Sequence, residues 1–217
     1  MARFLNREDA GRQLGQQLRA PGAEEAVVLG IPRGGVIVAA EVARALGSRW
    51  VGVLVARKLG APGHAELGIG AVTADGATYI DRGIADETGA SEAYIEGEVL
   101  RQVEEAKRRE AAYDGNLRPA VAGRHVIVVD DGIATGVTAI AGLRSLRAAG
   151  ASRVTLAVPV APPDAVERLR READEVVCLR AEEPFMAVGR FYAYFPDVSD
   201  EQVREALRAA REVAPSA

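Results

Sequence analysis

Short apolar runs alternate with longer amphipathic stretches along most of this 217-residue chain. The apolar runs predict strands over residues 26–31, 51–56, 126–129, 154–160 and 175–179. Apolar positions at helical spacing predict helices over residues 7–18, 35–46, 91–113, 138–149, 164–173 and 200–213. Strands that are apolar on both faces and alternate with helices are typical of parallel sheets. The pattern therefore predicts an α/β fold, with an open, mainly parallel twisted sheet that carries helices on both faces.

Residues 57–80 do not follow this alternation, because glycines and turn-forming residues interrupt them. A glycine-rich segment with one proline, residues 62–70, predicts a mobile loop. Asp75-Gly76 stands between two short strand-like segments, 71–72 and 77–80, and predicts a β-hairpin.

The composition narrows the class of protein. Hydrophobic residues make up 48% of the chain, which is enough for one domain with a real core. A net charge of −4 disfavours a nucleic-acid partner, and no apolar stretch is long enough to cross a membrane. The single cysteine, Cys178, excludes an intramolecular disulfide, and two histidines are too few for a histidine-based metal centre. Since no signal peptide is recognisable, we expect a cytoplasmic protein.

The most informative segment is a buried run that ends in two acids, residues 126–138. Four apolar residues form a strand, and Asp130 and Asp131 follow at its carboxyl end. A loop of small residues, Ala-Thr-Gly-Val-Thr, then leads into a helix. Ligands of α/β sheets bind at the carboxyl ends of the strands, and free N–H groups at a helix N-terminus bind phosphate. The run therefore predicts a sugar-phosphate site, with the anion on the loop and the sugar hydroxyls on the carboxylates.

This run resembles the thirteen-residue signature of type I phosphoribosyltransferases, which use phosphoribosyl pyrophosphate (PRPP). The resemblance implies that Asp130 and Asp131 hold the ribose hydroxyls and that the following loop holds the 5′-phosphate. The loop residues are Ala134, Thr135, Gly136, Val137 and Thr138. The resemblance also implies that family's Rossmann-like sheet, with a small hood subdomain over the base.

A second strand-to-helix loop covers residues 30–36. Two consecutive glycines allow the backbone to approach an anion, and an arginine adds a fixed charge suited to phosphate. The resemblance implies that this loop binds the pyrophosphate of PRPP through Pro32, Arg33, Gly34 and Gly35. Members of the family often have a non-proline cis peptide in this loop, and we expect it at Arg33-Gly34.

The glycine-rich segment after the second strand begins with Arg57 and Lys58 and contains Glu66. In the family, a flexible loop at this position closes over the reacting centre and excludes water. The resemblance implies that Arg57 and Lys58 reach the pyrophosphate and that Glu66 accepts a proton from the base. A solvated loop carboxylate is an equally good interpretation of Glu66.

The late segment over residues 182–192 resembles the family's Phe-x-x-Val-Gly stretch, which covers the base. It implies that Phe185 or Met186 packs against a planar base and that the backbone of Val188 reads its edge. Ordinary core packing is the alternative for these side chains. Members that act on 6-oxopurines usually carry acids where this chain has Ala134 and residues 190–195. Hypoxanthine and guanine are therefore disfavoured.

Taken together, the resemblance implies transfer of phosphoribosyl from PRPP to a purine or pyrimidine base, with release of pyrophosphate. Mg²⁺ is expected to bind with PRPP, whose hard oxygens suit it, and no dedicated set of protein metal ligands is expected. A non-catalytic PRPP-binding regulator and a phosphoribosyl-handling hydrolase are the alternatives. We expect one domain over residues 1–217, its core at about 20–180 and its hood at about 1–19 and 181–217. A homodimer is one assembly that the chain could form.

Overall fold

A five-stranded parallel sheet lies at the centre of the molecule, whose computed structural model describes residues 4–113 and 120–212. In chain order the helices and strands are α1 (Arg7–Gln17), β1 (Val27–Gly30), α2 (Gly34–Leu46), β2 (Val51–Val53), β3 (Ala56–Ala61), β4 (His64–Thr73), β5 (Thr78–Ile80), α3 (Arg82–Glu87), α4 (Glu92–Tyr113), β6 (His125–Val129), α5 (Val137–Ala148), β7 (Arg153–Ala161), α6 (Pro163–Leu169), β8 (Glu175–Ala181) and α7 (Asp200–Glu212). The central sheet has the order β2-β1-β6-β7-β8, with parallel pairing throughout. The predicted α/β fold with a mainly parallel sheet is confirmed.

The alternation of side chains along each buried strand produces a separate core on each face of this sheet. In β1, Val28 belongs to the core that is completed by α2 and α7. Its neighbours Val27 and Leu29 belong to the core that is completed by α5 and α6. Each such side chain contributes about 1.5–3 kcal/mol when it is fully buried. Apolar residues at consecutive positions are therefore required here, as they are in parallel sheets generally.

The register of β1 and β6 places the two predicted ligand loops side by side. Gly30, the last residue of β1, pairs with Val129, the last residue of β6. Both strands run in the same direction, so the loops that follow them leave the sheet at the same edge. The segments 31–35 and 130–136 are therefore neighbours in space.

Residues 62–70 do not form the predicted loop, and that prediction is wrong. β3 and β4 pair as an antiparallel hairpin that turns at 62–63, and β5 extends it to three strands. The hairpin predicted from Asp75-Gly76 is confirmed, since β4 and β5 pair across that turn. The glycines allow close contact between strands: a Cβ on Gly70 would lie 2.2 Å from the carbonyl oxygen of Tyr79. Close backbone packing explains the glycine content.

The three-stranded sheet has a small core of its own. Leu59 and Ile69 from the hairpin pack with Ala85 of α3 and Ile95 of α4. Helix α3 was not predicted from the sequence, and α6 ends at Leu169, before its predicted end at 173. The chain forms a turn over residues 170–172 instead. No helix in the described part of the chain is long and apolar enough to span a bilayer.

Phe4, near the start of the described chain, contacts the late segment around Tyr192. Phe4 forms a parallel bridge with Tyr192, and its backbone N–H donates to the carbonyl oxygen of Phe191 at 2.9 Å. Helix α1 packs on α2. The predicted helix end at Val213 and the outermost parts of the predicted hood, 1–3 and 213–217, lie outside the described residues. The hood limits stay a prediction.

Candidate active site

A cleft of about 500 Å³ opens at the carboxyl ends of β1 and β6. Both strand-to-helix loops, the hairpin, α4 and the segment after residue 187 contribute to its lining. The predicted site residues that line it are Pro32, Arg33, Gly34, Arg57, Lys58, Asp130, Asp131, Thr138 and Val188. The fold therefore brings residues from all four sequence segments to one cleft.

Asp130 and Asp131 follow β6 and both line the cleft. The backbone N–H of Asp131 donates to Oδ1 of Asp130 at 2.8 Å. Burial, together with the neighbouring charge of Asp131, raises the pKa of the Asp130 carboxyl well above its usual range. The pair is thus a place of strong negative potential, where a cation or hydroxyl donors would stabilise the ionised form.

The side chain of Asp131 has a cationic partner, whereas that of Asp130 has none within the part of the chain that the structure describes. Nε of Arg7 donates to Oδ2 of Asp131 at 2.7 Å, and the two side chains are 9% and 16% exposed. Nη1 of Arg7 donates to the carbonyl oxygen of Pro196, and the guanidinium lies over the ring of Phe195. Tyr192 donates its hydroxyl to the backbone carbonyl oxygen of Asp131. Both ends of the chain therefore hold this one acid in place.

The two glycines after β1 pack directly against the acidic pair. A Cβ on Gly34 would lie 1.9 Å from Oδ2 of Asp131, and one on Gly35 would lie 2.8 Å from Cα of Asp130. Any side chain at either position would displace a carboxylate or its backbone. The exposed Arg33 beside them lines the cleft, so this loop supplies a cation next to the acids.

This loop has a non-proline cis peptide, but at Pro32–Arg33 and not at Arg33–Gly34. The expected position was therefore wrong by one residue. Gly34 is the first residue of α2 and Arg33 is its N-cap. The Arg33–Gly34 peptide is trans, as in a regular helix, and the cis peptide comes one residue before it.

The loop after the acidic pair ends at Gly136, whose φ of 81° favours glycine. Val137 and Thr138 are the first residues of α5, and their N–H groups have no partner within the helix. Thr138 lines the cleft, whereas Ala134 and Thr135 are exposed. This helix start therefore offers backbone donors and a positive dipole end to an anion.

A second side of the cleft is cationic, and we call it the basic wall. Its residues are Arg33, Arg57, Lys58 and Arg109. Nε of Arg57 donates to Gln102 at 3.0 Å, and Gln102 donates to the buried Glu98 at 2.9 Å. Burial and repulsion from Arg109 lower the pKa of Arg57. Cations held this close together favour a ligand with several negative charges.

Lys58 and Glu66 contact each other across the hairpin. Nζ of Lys58 donates to the backbone carbonyl oxygen of Glu66 at 2.6 Å and to its Oε2 at 3.2 Å. The Glu66 side chain is fully exposed, and it is not among the residues that line the cleft. The structure thus brings Lys58 to the site and leaves Glu66 on the surface.

Of the three residues predicted to cover a base, one lines the cleft and two do not. Val188 lines the cleft, near Phe195, with which it shares a small apolar cluster. Phe185 stacks on Phe191 with ring centres 5.3 Å apart, and Met186 is 70% exposed. Phe185 and Met186 do not line the cleft, where Phe195 is the aromatic side chain.

Several lining residues were not singled out from the sequence, among them Arg7, Arg109, Phe195, Asp197 and Val198. One signal could have identified Arg7: it is a cation in the first turn of a helix, where the dipole disfavours positive charge. Arg109 was missed because it lies on the highly charged α4, for which the sequence predicted only a solvent-exposed helix face. The Phe-Pro-Asp-Val run over residues 195–198 gave no such signal.

Asp130 and Asp131 are the residues that could hold a divalent cation, because carboxylate oxygens suit hard cations. No group of three or more His, Cys, Asp or Glu side chains that could hold a metal occurs in residues 4–113 and 120–212. A cation at the acidic pair would therefore need further oxygen ligands from a bound substrate.

These features define an α/β protein in which one cleft combines an acidic pair, a helix N-terminus and a basic wall. The chain belongs to the phosphoribosyl transferase family, since the family model described as "Phosphoribosyl transferase domain" matches residues 3–192. The resemblance stated from the signature is confirmed.

Relatives of this chain occur in several bacteria. It is 44% identical over 216 residues to the Mycobacterium tuberculosis protein named "Putative phosphoribosyl transferase Rv0571c", covering 99% of this chain and 48% of that protein. The chain thus spans about half the length of the curated relatives it matches. The crystal structure of TT1426 from Thermus thermophilus is 42% identical with a TM-score of 0.80, covering 98% of this chain and 100% of that one. AQ2163 of Aquifex aeolicus, at 16% identity and a TM-score of 0.50, covers 84% and 78% and shares the fold.

Proposed function

We propose that this chain transfers the 5-phosphoribosyl group of PRPP to a nitrogenous base, a purine or a pyrimidine, and releases pyrophosphate. The observation that carries the proposal is the division of one cleft between an acidic pair beside a helix N-terminus and a basic wall. PRPP is divided in the same way, with ribose hydroxyls and a 5′-phosphate at one end and a pyrophosphate at the other. Membership of the phosphoribosyl transferase family supports the same reaction.

On the basis of this division we assign each part of PRPP to a set of residues. The backbone of residues 134–138 binds the 5′-phosphate at the start of α5. Asp130 and Asp131 accept hydrogen bonds from the ribose hydroxyls. The pyrophosphate extends toward the loop of residues 32–35 and the basic wall.

The reaction forms a bond between a nitrogen of the base and C1 of the ribose, and it breaks the bond between C1 and the pyrophosphate oxygen. The pyrophosphate leaves with the bonding electrons, and the base nitrogen loses its proton. The acidic pair stabilises the positive charge that develops at C1, while Arg57 and Lys58 stabilise the leaving group. Glu66 is the proposed proton acceptor, and it can act only when the hairpin tip turns toward the cleft, because its carboxylate is exposed in the structure.

We include Mg²⁺ as a cation that binds together with PRPP. When bound, it neutralises negative charge on the pyrophosphate. Asp130 and Asp131 would contribute carboxylate oxygens to it. The carboxyl of Asp130 fits this role, because burial and the charge of Asp131 raise its pKa and a bound cation would offset both effects.

Calorimetric titration with PRPP, with and without Mg²⁺, tests the binding part of the proposal. A pyrophosphate-release assay over a panel of purines and pyrimidines tests the transfer. We expect Mg²⁺-dependent binding, and release that requires one of the bases. The double variant Asp130→Asn, Asp131→Asn should lose both activities while circular dichroism shows an intact fold.

Three other results would contradict the transferase. Binding without release with any base would indicate a PRPP-binding regulator. Release that needs no base would indicate a hydrolase of the activated sugar. Absence of PRPP binding would overturn the assignment of the acidic pair and the helix start.

A further inference from the structure

Arg7 occupies a position where an isolated cation is unfavourable. It is the first residue of α1, at the positive end of the helix dipole, and it is only 8% exposed. Removing a guanidinium from water costs free energy unless its charge is paired. Its burial there therefore depends on contacts with other parts of the fold.

Three contacts hold the guanidinium of Arg7. Nε donates to Oδ2 of Asp131 and Nη1 donates to the carbonyl oxygen of Pro196, each at 2.7 Å. The group also lies 3.7 Å from the centre of the Phe195 ring, where a cation is attracted to the aromatic face. With two donors and one face engaged, the guanidinium has a single orientation, directed at the carboxylate of Asp131.

Asp131 is the meeting point of three segments that are distant in the sequence. Arg7 approaches its carboxylate from α1, and Gly34 packs against the same oxygen from the start of α2. Tyr192 donates to its backbone carbonyl oxygen. Burial raises the pKa of Tyr192, so its hydroxyl remains a donor even at alkaline pH. The side chain and the backbone of Asp131 are thus both held.

Stability is a weak reason for this arrangement. A buried ion pair often stabilises a fold no more than an apolar pair of similar volume, because both charges lose their hydration. A paired guanidinium does, however, fix a carboxylate in one geometry. Arg7 and Asp131 both line the cleft, so the geometry that is fixed belongs to the ligand site.

We propose that Arg7 is a positioning residue that fixes the Asp131 carboxylate for the ribose hydroxyls of PRPP. This inference rests on the function proposed above. Arg7 acts through Asp131, since Nε, the donor directed at the acidic pair, is engaged by that carboxylate. Arg7 contacts the acidic pair and not the basic wall. Its loss should therefore weaken the binding of ligands that carry the ribose and leave the binding of pyrophosphate unchanged.

The test measures binding of PRPP, ribose 5-phosphate and pyrophosphate, each with Mg²⁺, to the full chain and its variants. Arg7→Met keeps the length of the side chain without its charge, and Arg7→Lys restores the charge without the planar fork. Arg12→Met is the matched control, because Arg12 lies on the same helix with its side chain 54% exposed. Thermal melts establish that each variant is folded at the assay temperature.

We expect Arg7→Met to weaken PRPP and ribose 5-phosphate about tenfold or more, which is the usual effect of losing a residue that orients a ligating group. Pyrophosphate binding should stay unchanged, Arg7→Lys should recover part of the loss, and Arg12→Met should bind like the wild type. In an Asp131→Asn background, Arg7→Met should cause no further loss, because its effect passes through that carboxylate.

Two results would overturn this role while the proposed function stands. One is wild-type affinity for PRPP in Arg7→Met. The other is an equal loss for all three ligands, or in both backgrounds, which would make Arg7 a purely structural residue. If the wild type itself binds neither PRPP nor ribose 5-phosphate, the proposed function fails first.

Discussion

The two charged sides of the cleft are built in different ways. The acidic wall, which comprises Asp130 and Asp131, packs against loop backbone and against the buried guanidinium of Arg7. Most of the basic wall, namely Arg57, Lys58 and Arg109, stands on the β3–β4 hairpin and α4, and the ion pair of Lys58 with Glu66 there is exposed. The acidic wall is therefore fixed before a ligand binds, whereas Lys58 on the basic wall has room to move.

This difference indicates that the two walls have different roles in the proposed reaction. The 5′-phosphate and the ribose hydroxyls keep their places during transfer, and a fixed wall suits them. The pyrophosphate gains charge as its bond to C1 breaks, and then it departs, so movable cations suit it. Changes in the acidic wall should therefore affect binding, and changes in the basic wall should affect turnover.

The largest effect is expected from Gly34→Ala. The added carbon would lie 1.9 Å from Oδ2 of Asp131 and 2.6 Å from Nε of Arg7, so the ion pair must shift. Overpacking typically costs about 1–3 kcal/mol. Because the displaced oxygen belongs to the ligand site, we expect PRPP affinity, measured by calorimetry, to fall about 100-fold, which corresponds to nearly 3 kcal/mol.

The control for this variant is Gly97→Ala in α4, where the added carbon would meet no described atom within 4 Å other than its chain neighbours and the backbone of its own helix. Gly97→Ala should leave PRPP affinity unchanged and stabilise the fold by about 0.5–1 kcal/mol. If Gly34→Ala bound PRPP with wild-type affinity, the acidic wall would be as adaptable as the basic wall. The proposed difference between the two walls would then be wrong.

An intermediate effect is expected from Lys58→Ala in the basic wall. With whichever base supports pyrophosphate release, turnover should slow about tenfold or more, because the leaving group loses a cation as its charge develops. PRPP affinity should change much less. Lys107→Ala is the control, since Lys107 pairs with Glu104 on the surface of α4. Equal losses in turnover and affinity would show that Lys58 binds the ground state as strongly as the transition state. The predicted difference between the two walls would then be wrong.

The acidic wall was largely predictable from the sequence because its parts are contiguous. A buried strand, two acids and a loop entering a helix follow one another over residues 126–138, and local rules for strands and helix starts identify them. The parallel sheet then places the loop after β1 beside them by register alone.

The partners of these residues could not be predicted, because the contacts join distant parts of the chain. Arg7 and Asp131 are 124 positions apart, and neither segment signals the other. The hairpin glycines were misread for the same reason. Gly70 requires glycine because of the carbonyl oxygen of Tyr79 on the next strand, and glycine-rich composition alone indicates mobility as readily as close packing.

The smallest effect concerns the contrast within the acidic wall, because Asp131 has a cationic partner and Asp130 has none among residues 4–113 and 120–212. Asp130→Asn in metal-free protein should raise the melting temperature by about 2–4 °C at pH 8, as expected for about 1 kcal/mol in a chain of this size. Asparagine can still accept the hydrogen bond from the backbone N–H of Asp131. Asp131→Asn should lower the melting temperature instead, since it leaves Arg7 buried without its counter-charge.

The pH dependence separates this explanation from simple repacking. Because burial and the charge of Asp131 raise the pKa of Asp130, the folded protein holds this proton more tightly than the unfolded chain does. Ionisation therefore opposes folding as the pH rises above the unfolded-state pKa of about 3.9, and it does so fully above the folded-state pKa. The advantage of Asp130→Asn should be largest at alkaline pH and should shrink as the medium is acidified. A gain that is the same at every pH would show that asparagine only packs better, and that the two acids of the wall are equally well compensated in the folded protein.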